Sequence, residues 1–284
     1  MPGPARERSW RGSPFSDTMQ DRLRDFVIAA LAALAIAAIP ASGQTPAAGA
    51  STYRPPRTAD GKPDLNGLWQ VLNTAAWDIQ DHSGTLDLPP GQGVVEGNEI
   101  PYRPAALKKK QENFANRKTA DPNNSCFMPG VPRSTYMPYP FEIIQTPKMI
   151  SMAYEYAHTA RYIPMDGSPP PEAWIDSWMG LARGRWEGDT LVIDVKGFND
   201  QTWFDQAGNF HSDALHVVER YTRTGPDHIL YEVTIEDPMV FTRPWKMSMP
   251  LYRRTEKNAR LLEYECVVYL QEEKYKNAVP LIKK

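Results

Sequence analysis

The chain has 284 residues, of which 32 are Lys or Arg and 34 are Asp or Glu, so its net charge at pH 7 is −2. A nearly neutral chain has no electrostatic attraction for nucleic acid or for an anionic membrane surface, and we expect neither as a partner. The sequence contains no glycine-rich phosphate loop, dinucleotide-binding fingerprint or G-x-S-x-G motif. ATP, NAD and ordinary serine-hydrolase chemistry are therefore not expected, and the sequence predicts no cofactor.

The first 43 residues have the pattern of a secretory signal peptide. Two arginines precede an apolar run from Phe26 to Ile39, and Pro40 and small residues follow it. The run is shorter than the roughly 20 residues that span a bilayer. The pattern predicts a signal peptide over residues 1–43, export to the periplasm or the medium, and no stable membrane insertion after cleavage before Gln44. An uncleaved N-terminal anchor is the alternative.

The two cysteines of the chain are Cys126 and Cys266. In an oxidising compartment, we expect them to form a disulfide. Neither lies in a CxxC or Cys-His pattern, so a reactive thiol is the less favoured interpretation.

The remaining chain divides into three parts by composition. Residues 44–64 are rich in Pro, Ala, Thr and Gly, which is typical of a disordered linker. Residues 65–140 begin with a strand and continue as an irregular, proline-rich arm of the same domain. This arm contains one predicted helix, from Pro104 to Lys118, with Pro in its first turn. Residues 141–284 form the predicted β-barrel core.

Short strands separated by turns follow one another from Phe141 onward, with no helical period between them. Two of them place apolar residues on a single face: Ile229, Tyr231, Val233 and Ile235, and Trp245, Met247, Met249 and Leu251. This pattern predicts an all-β fold built as an antiparallel meander. Closure removes the exposed strand edges, so we expect a closed or nearly closed lipocalin-like barrel, with an open curved sheet or a sandwich as the alternative.

Three motifs resemble those of known families. The GLW of residues 67–69, on the first strand after the linker, is similar to the G-x-W that opens lipocalin and related calycin barrels. GRWEGDTLVIDVKGFND (residues 184–200) and HSDALHVVERY (residues 211–221) resemble motifs of a family of exported, β-rich bacterial proteins that are uncharacterised. This second resemblance covers most of the chain after Asp64. It implies an exported β-rich protein and no particular reaction.

The segment from Phe198 to Arg220 combines carboxylates and histidines with large aromatic residues, which is unusual for a surface loop. A metal site of His211, His216 and Glu219, with His158 as a fourth ligand, is one interpretation. On a strand, however, His216 and Glu219 are three residues apart and point to opposite faces. The chain has no H-E-x-x-H or H-x-H spacing either. No metal site is therefore expected.

An acid–base site is favoured instead. His211 or His216 is the predicted acid or base, because histidine titrates near neutral pH, and Asp213 or Asp205 is expected to orient it. Glu219 is a further catalytic candidate if its strand face points inward. The side chains expected to hold the substrate are Tyr154, Tyr156, His158, Arg161, Trp203, Tyr231 and Trp245. Ordinary aromatic core is the alternative role for the tyrosines.

These observations predict an exported barrel that binds a small molecule. The favoured function is a cofactor-free acid–base enzyme of the lyase, isomerase or cyclase type that acts on a small organic substrate. The alternative is a lipocalin-like periplasmic carrier of apolar or aromatic molecules. A structural protein that makes contacts through its disulfide-tied arm is a third interpretation. Substrate identity and oligomeric state are left open.

Overall fold

The structure is a computed structural model that describes residues 53–85, 88–169, 177–264 and 266. The predicted signal peptide and the first part of the predicted linker lie outside the described residues. Within the described ranges the strands are β1 (Gly67–Gln70), β2 (Phe141–Gln145), β3 (Met149–Tyr154), β4 (Ala160–Pro164), β5 (Leu181–Glu187), β6 (Thr190–Lys196), β7 (His216–Gly225), β8 (His228–Glu236) and β9 (Trp245–Arg253). The α-helices in the same ranges are α1 (Pro104–Ala115), α2 (Arg117–Ala120) and α3 (Arg133–Tyr136).

The nine strands form one antiparallel sheet in the order β4-β3-β2-β1-β9-β8-β7-β6-β5. Strand β1 pairs with β9, so the first and last strands are neighbours and the sheet curves round on itself. The two ends of the sheet meet where Gly184 of β5 faces Ile163 and Met165, and a Cβ at Gly184 would overlap the Met165 sulfur. The predicted antiparallel meander, nearly closed into a barrel, is confirmed.

An ion pair lies inside this barrel, between Arg161 of β4 and Glu219 of β7, with side chains 2% and 0% exposed. Both guanidinium Nη groups donate to the carboxylate, Nη1 to Oε1 at 3.1 Å. The hydroxyls of Tyr221 and Tyr231 also donate to Oε1, at 3.0 and 2.7 Å. Arg161 Nη1 is 3.3 Å from the hydroxyl of Tyr154. The buried carboxylate is therefore compensated by a cation and by two neutral donors, as a charge removed from water requires.

The arm closes one end of the barrel, where β7 begins and β8 ends; we call this end the rim. All four residues of α3 are buried there. Thr135 Oγ1 lies 3.3 Å from the hydroxyl of Tyr154 inside the barrel, and the hydroxyl of Tyr136 donates to Phe204 O at 2.7 Å. A second buried ion pair, between Arg133 and Asp121 at 2.8 Å, holds the arm together. The arm is therefore part of the core.

The predicted helix of the arm is shorter than the sequence suggests. The helix α1 begins at Pro104 as expected but ends at Ala115, because Asn116 has φ −103° and ψ 9° and interrupts the helical path. No helix among the described residues is long and apolar enough to cross a membrane.

The opposite end of the barrel is covered by residues 53–65. Arg223 Nη1 donates to Asp64 O at 2.7 Å, and Arg57 pairs with Asp189 at 2.8 Å. Leu65 is completely buried. The prediction of a disordered linker over residues 44–64 is therefore wrong for residues 53–64. The amino-acid composition of residues 53–64 is typical of disorder, but composition does not reveal that their backbone carbonyls and charged side chains contact distant strands.

The predicted disulfide between Cys126 and Cys266 is confirmed, with the two Cα atoms 5.6 Å apart and a sequence separation of 140. It joins the arm to the chain that follows β9. Nearby, the rings of Tyr139, Tyr156 and Tyr264 pack on one another, with centroids 4.9 to 5.4 Å apart. The C-terminal part of the described chain is thus fixed against the arm.

We expect Glu219→Ala to lower the free energy of unfolding by roughly 3–5 kcal/mol, because it leaves the Arg161 guanidinium buried without its carboxylate. The matched control is Glu232→Ala, on the outward face of the adjacent strand, with an expected loss under about 1 kcal/mol. Urea denaturation at pH 7 measures both. The double variant Arg161→Met, Glu219→Leu is expected to recover most of the loss, and equal losses for Glu219→Ala and Glu232→Ala would contradict the role of the pair.

The disulfide is expected to stabilise the fold by roughly 2–5 kcal/mol, because it closes a long loop in the unfolded chain. Adding a reductant to the wild type, or introducing Cys266→Ser, should therefore move the urea midpoint to lower concentration. Cys266→Ser in reductant serves as the control and should show no further shift. A wild type whose midpoint is the same with and without reductant would refute this prediction.

Candidate functional site

A histidine between two carboxylates lies on the outer face of the sheet at the rim. His216, the first residue of β7, has Nδ1 3.1 Å from Glu236 Oε2 on β8 and Nε2 3.0 Å from Asp194 Oδ2 on β6. The side chains of His216, Asp194 and Glu236 are 22%, 38% and 45% exposed. A protonated histidine donates from both ring nitrogens, whereas a neutral one donates from a single nitrogen. Both ring nitrogens of His216 therefore have a carboxylate partner, and all three side chains are within reach of solvent.

A pocket of about 310 Å³ adjoins this trio. We call it the rim pocket; it is lined by Arg103, Glu236, Asp237, Pro238, Phe241, Thr242, Arg243 and Pro244. Its volume lies in the range of small-molecule sites. Glu236 belongs to both features, because it lines the rim pocket and contacts His216. An acid–base pair thus adjoins a space that can hold a small molecule.

Asp237 fixes the loop that forms the floor of the rim pocket. Its carboxylate accepts from Ser212 N at 2.6 Å and from the Ser212 hydroxyl at 2.9 Å. It also accepts from Met239 N and Val240 N at 3.0 and 3.2 Å. With four donors and 2% exposure, this carboxylate is fully occupied within the protein. Asp237 therefore shapes the pocket, and its charge is not presented to a ligand.

His211 lies away from this site, in the interior. Its Nδ1 is 2.8 Å from Ser212 O, so Nδ1 carries the proton, and Nε2 accepts from the Thr202 hydroxyl at 2.6 Å. Burial lowers the pKa of His211, and Phe198 and Phe204 pack near its ring. Asp213 is exposed and is not its partner. The predicted His211–Asp213 pair is wrong, because the ring turns inward to Thr202.

Asp205 is also buried, and its carboxylate accepts hydrogen bonds from Ile79 and Asn209 and contacts no histidine within the described ranges. It accepts from Ile79 N at 3.0 Å and from the backbone and side-chain nitrogens of Asn209 at 3.1 and 2.6 Å. Burial and, after it, the nearby Asp78 carboxylate raise the pKa of Asp205 to about 7. Trp203, in the same loop, is 9% exposed and forms a β-bridge with Phe210. Asp205 therefore ties this loop to the arm.

The residues expected to hold a substrate do not line one accessible site; four of the predicted site residues meet, but they are buried in the core. Tyr154, Arg161 and Tyr231 belong to the ion-pair cluster inside the barrel, together with the catalytic candidate Glu219. Trp245 is 3% exposed and packs edge-on against Phe204 and Phe241. These side chains belong to the core.

Tyr156 and His158, two further residues expected to hold the substrate, do not share a strand face with Tyr154. Strand β3 ends at Tyr154, and Ala157 and His158 have φ of 56° and 48°. This left-handed turn sends Tyr156 into the tyrosine cluster beside the disulfide and leaves His158 exposed. Strand parity cannot apply where the backbone reverses.

Sequence reasoning missed several residues of the rim site, namely Asp194, Glu236, Arg103, Arg243 and Phe241. The signal for Glu236 was the hairpin between β7 and β8, whose register places His216 opposite Glu236. Asp194 lies on the outer face of β6, where its carboxylate is 3.0 Å from His216 Nε2. The two arginines come from segments without regular structure, for which the sequence gives no register.

No protein-family model, no curated protein and no solved structure matches the chain. Among the residues that the structure describes, no group of three or more His, Cys, Asp and Glu side chains could hold a metal ion. In the rim trio the two carboxylates contact opposite ring nitrogens, so they do not converge on one point. A second pocket, of about 410 Å³, lies between residues 72–74, 91–94 and 248–250, and its lining residues are not titratable. The rim pocket is therefore the better candidate for chemistry.

The raised pKa of Asp205 predicts that its contribution to stability is present below about pH 4 and is lost as the pH rises to about 7. In that window the folded state holds a proton that the unfolded state has released. Asp205→Asn should therefore reduce the loss of unfolding free energy between pH 4 and pH 7, by roughly 1–4 kcal/mol. Urea denaturation at several pH values measures the slope. Asp213→Asn, in the same loop but exposed, is the control, and equal slopes for both variants would contradict the assignment.

Proposed function

We propose that this protein is an exported enzyme that performs cofactor-free acid–base chemistry on a small organic substrate bound in the rim pocket. The observation that carries the proposal is the position of Glu236, which is a lining residue of the pocket and has a carboxylate oxygen 3.1 Å from His216 Nδ1. The reaction class is an elimination, an isomerisation or a ring-opening or ring-closing step. The disulfide is consistent with an oxidising compartment and so supports export.

Reactions of this class remove a proton from one atom of the substrate and return a proton to another. Glu236 is the group that contacts the substrate and exchanges the proton with it. His216 is within hydrogen-bond distance of Glu236 and shares that proton, which lets the carboxylate act as base and then as acid. Asp194 contacts the other ring nitrogen and positions the imidazole. The three side chains supply these steps without any further group.

The interior of the barrel supports a binding function less well. Tyr154 and Tyr231, which were expected to line a ligand cavity, contact the Arg161–Glu219 pair and are buried with it. A ligand at this level would have to displace a charge pair that has no access to water, at a cost of several kcal/mol. If the protein is a carrier, its ligand would therefore also bind in the rim pocket. An enzyme and a carrier are then distinguished by whether the bound molecule is chemically changed.

The test is a mass-spectrometric screen of small organic compounds with the mature wild type, Glu236→Gln, His216→Ala and the control His228→Ala. His228 is exposed at the opposite end of β8. We expect the wild type and His228→Ala to consume a compound that Glu236→Gln and His216→Ala still bind but convert at least about 100-fold more slowly, because proton transfer contributes about 10²–10⁴ to such rates.

Two results would contradict the proposal. If every variant binds a compound and none changes it, the protein is a carrier. If Glu236→Gln converts a compound at the wild-type rate, Glu236 does not exchange the proton and the reaction takes place elsewhere in the molecule. Thermal-shift measurements on each variant confirm that the substitutions leave the fold intact.

A further inference from the structure

We infer that the rim pocket recognises a carboxylate group, so that the substrate class is small organic acids. The inference rests on the proposed function only where it calls the bound acid a substrate. Recognition itself is argued from two arginines beside the pocket: among the described residues Arg103 makes no ion pair, and Arg243 makes a long, exposed one with Glu99.

Arg103 is the first of these arginines. It precedes α1, and its backbone N–H donates to Val240 O at 2.9 Å. Its side-chain Nε donates to Pro238 O at 2.8 Å, which fixes the guanidinium against the loop that forms the pocket floor. Within the described part of the chain Arg103 makes no ion pair. Its charge is held in place beside the pocket without a carboxylate to balance it.

Arg243 is the second arginine, on the other side of the same loop. Its Nη2 lies 3.8 Å from Glu99 Oε1, and the two side chains are 58% and 74% exposed. A pair this long and this exposed to water contributes little, typically under about 1 kcal/mol. Arg243 therefore keeps its charge available to a ligand.

The acidic residues of the pocket do not cancel these two charges. The Asp237 carboxylate accepts four hydrogen bonds from the protein and is buried. The Glu236 carboxylate already has a partner within the protein, because its Oε2 lies 3.1 Å from His216 Nδ1. The unsatisfied charge that faces the pocket is therefore positive.

Guanidinium groups bind planar anions with two parallel hydrogen bonds, and a carboxylate matches this geometry. A monoanion is favoured over a phosphate dianion because Glu236 is also a lining residue, and its negative charge repels a second negative charge on the ligand. The ring of Phe241 and the faces of Pro238 and Pro244 give the hydrocarbon part of an acid an apolar wall. Together these features select a small carboxylic acid.

Calorimetric titration with benzoate, benzamide and inorganic phosphate tests the inference without requiring turnover. We expect benzoate to bind the wild type at least about 10-fold more tightly than benzamide, its neutral isostere, or phosphate. Arg103→Gln and Arg243→Gln should each weaken benzoate binding about 10-fold or more. Arg54→Gln, an exposed arginine in the segment that covers the opposite end, is the control and should leave binding unchanged.

Equal binding of benzoate and benzamide, tighter binding of phosphate, or arginine variants that bind benzoate as the wild type does would each overturn the inference. The proposed function fails separately. If carboxylates bind through the arginines and no acid is converted, recognition stands and the enzyme proposal fails. If a neutral compound is converted and the arginine variants convert it equally well, the enzyme proposal stands and carboxylate recognition fails.

Discussion

Inside the barrel, the guanidinium of Arg161 meets the carboxylate of Glu219, and the organisation of the molecule depends on this contact. Two charges out of water are tolerated only while each has its partner and its remaining donors or acceptors are used. Tyr221 and Tyr231 complete the set of donors around the carboxylate, and the charge pair joins β4 to β7 across the interior. The pair thereby holds together two strands that lie far apart in the order of the sheet.

The interior of the barrel is filled by buried side chains, so the candidate site lies at the rim. Residues 53–65 cover one end of the barrel, and α3 fills the other with buried side chains. On the outer face, where β6 ends, β7 begins and β8 ends, a histidine and two carboxylates remain in contact with solvent and with each other. The loop held by Asp237 adds a pocket at that place. A fold with a packed centre thus places its candidate site where strand ends and irregular loops meet.

The sequence predicted the strands and the meander because their alternation of apolar residues and their turns are local properties. Strand parity correctly separated Glu219 from His216, but both faces of β7 carry ionisable residues. The inward face is decided by Arg161, which lies 58 residues away from Glu219. The partners of His216 are 20 and 22 residues distant, on neighbouring strands. The β7–β8 hairpin does indicate Glu236 as a neighbour of His216. A single sequence supplies no register for Arg161 or Asp194, and Asp213 and Asp205 are near the histidines only along the chain.

The sheet can close only after β9 has been synthesised, because β9 pairs with β1. A hydrogen bond between Arg254 and Gln70, beside this pairing, spans 184 residues. Contacts of such long range must overcome a large loop entropy before they contribute, so they form slowly. The ring of strands therefore stays open until its last member has left the ribosome.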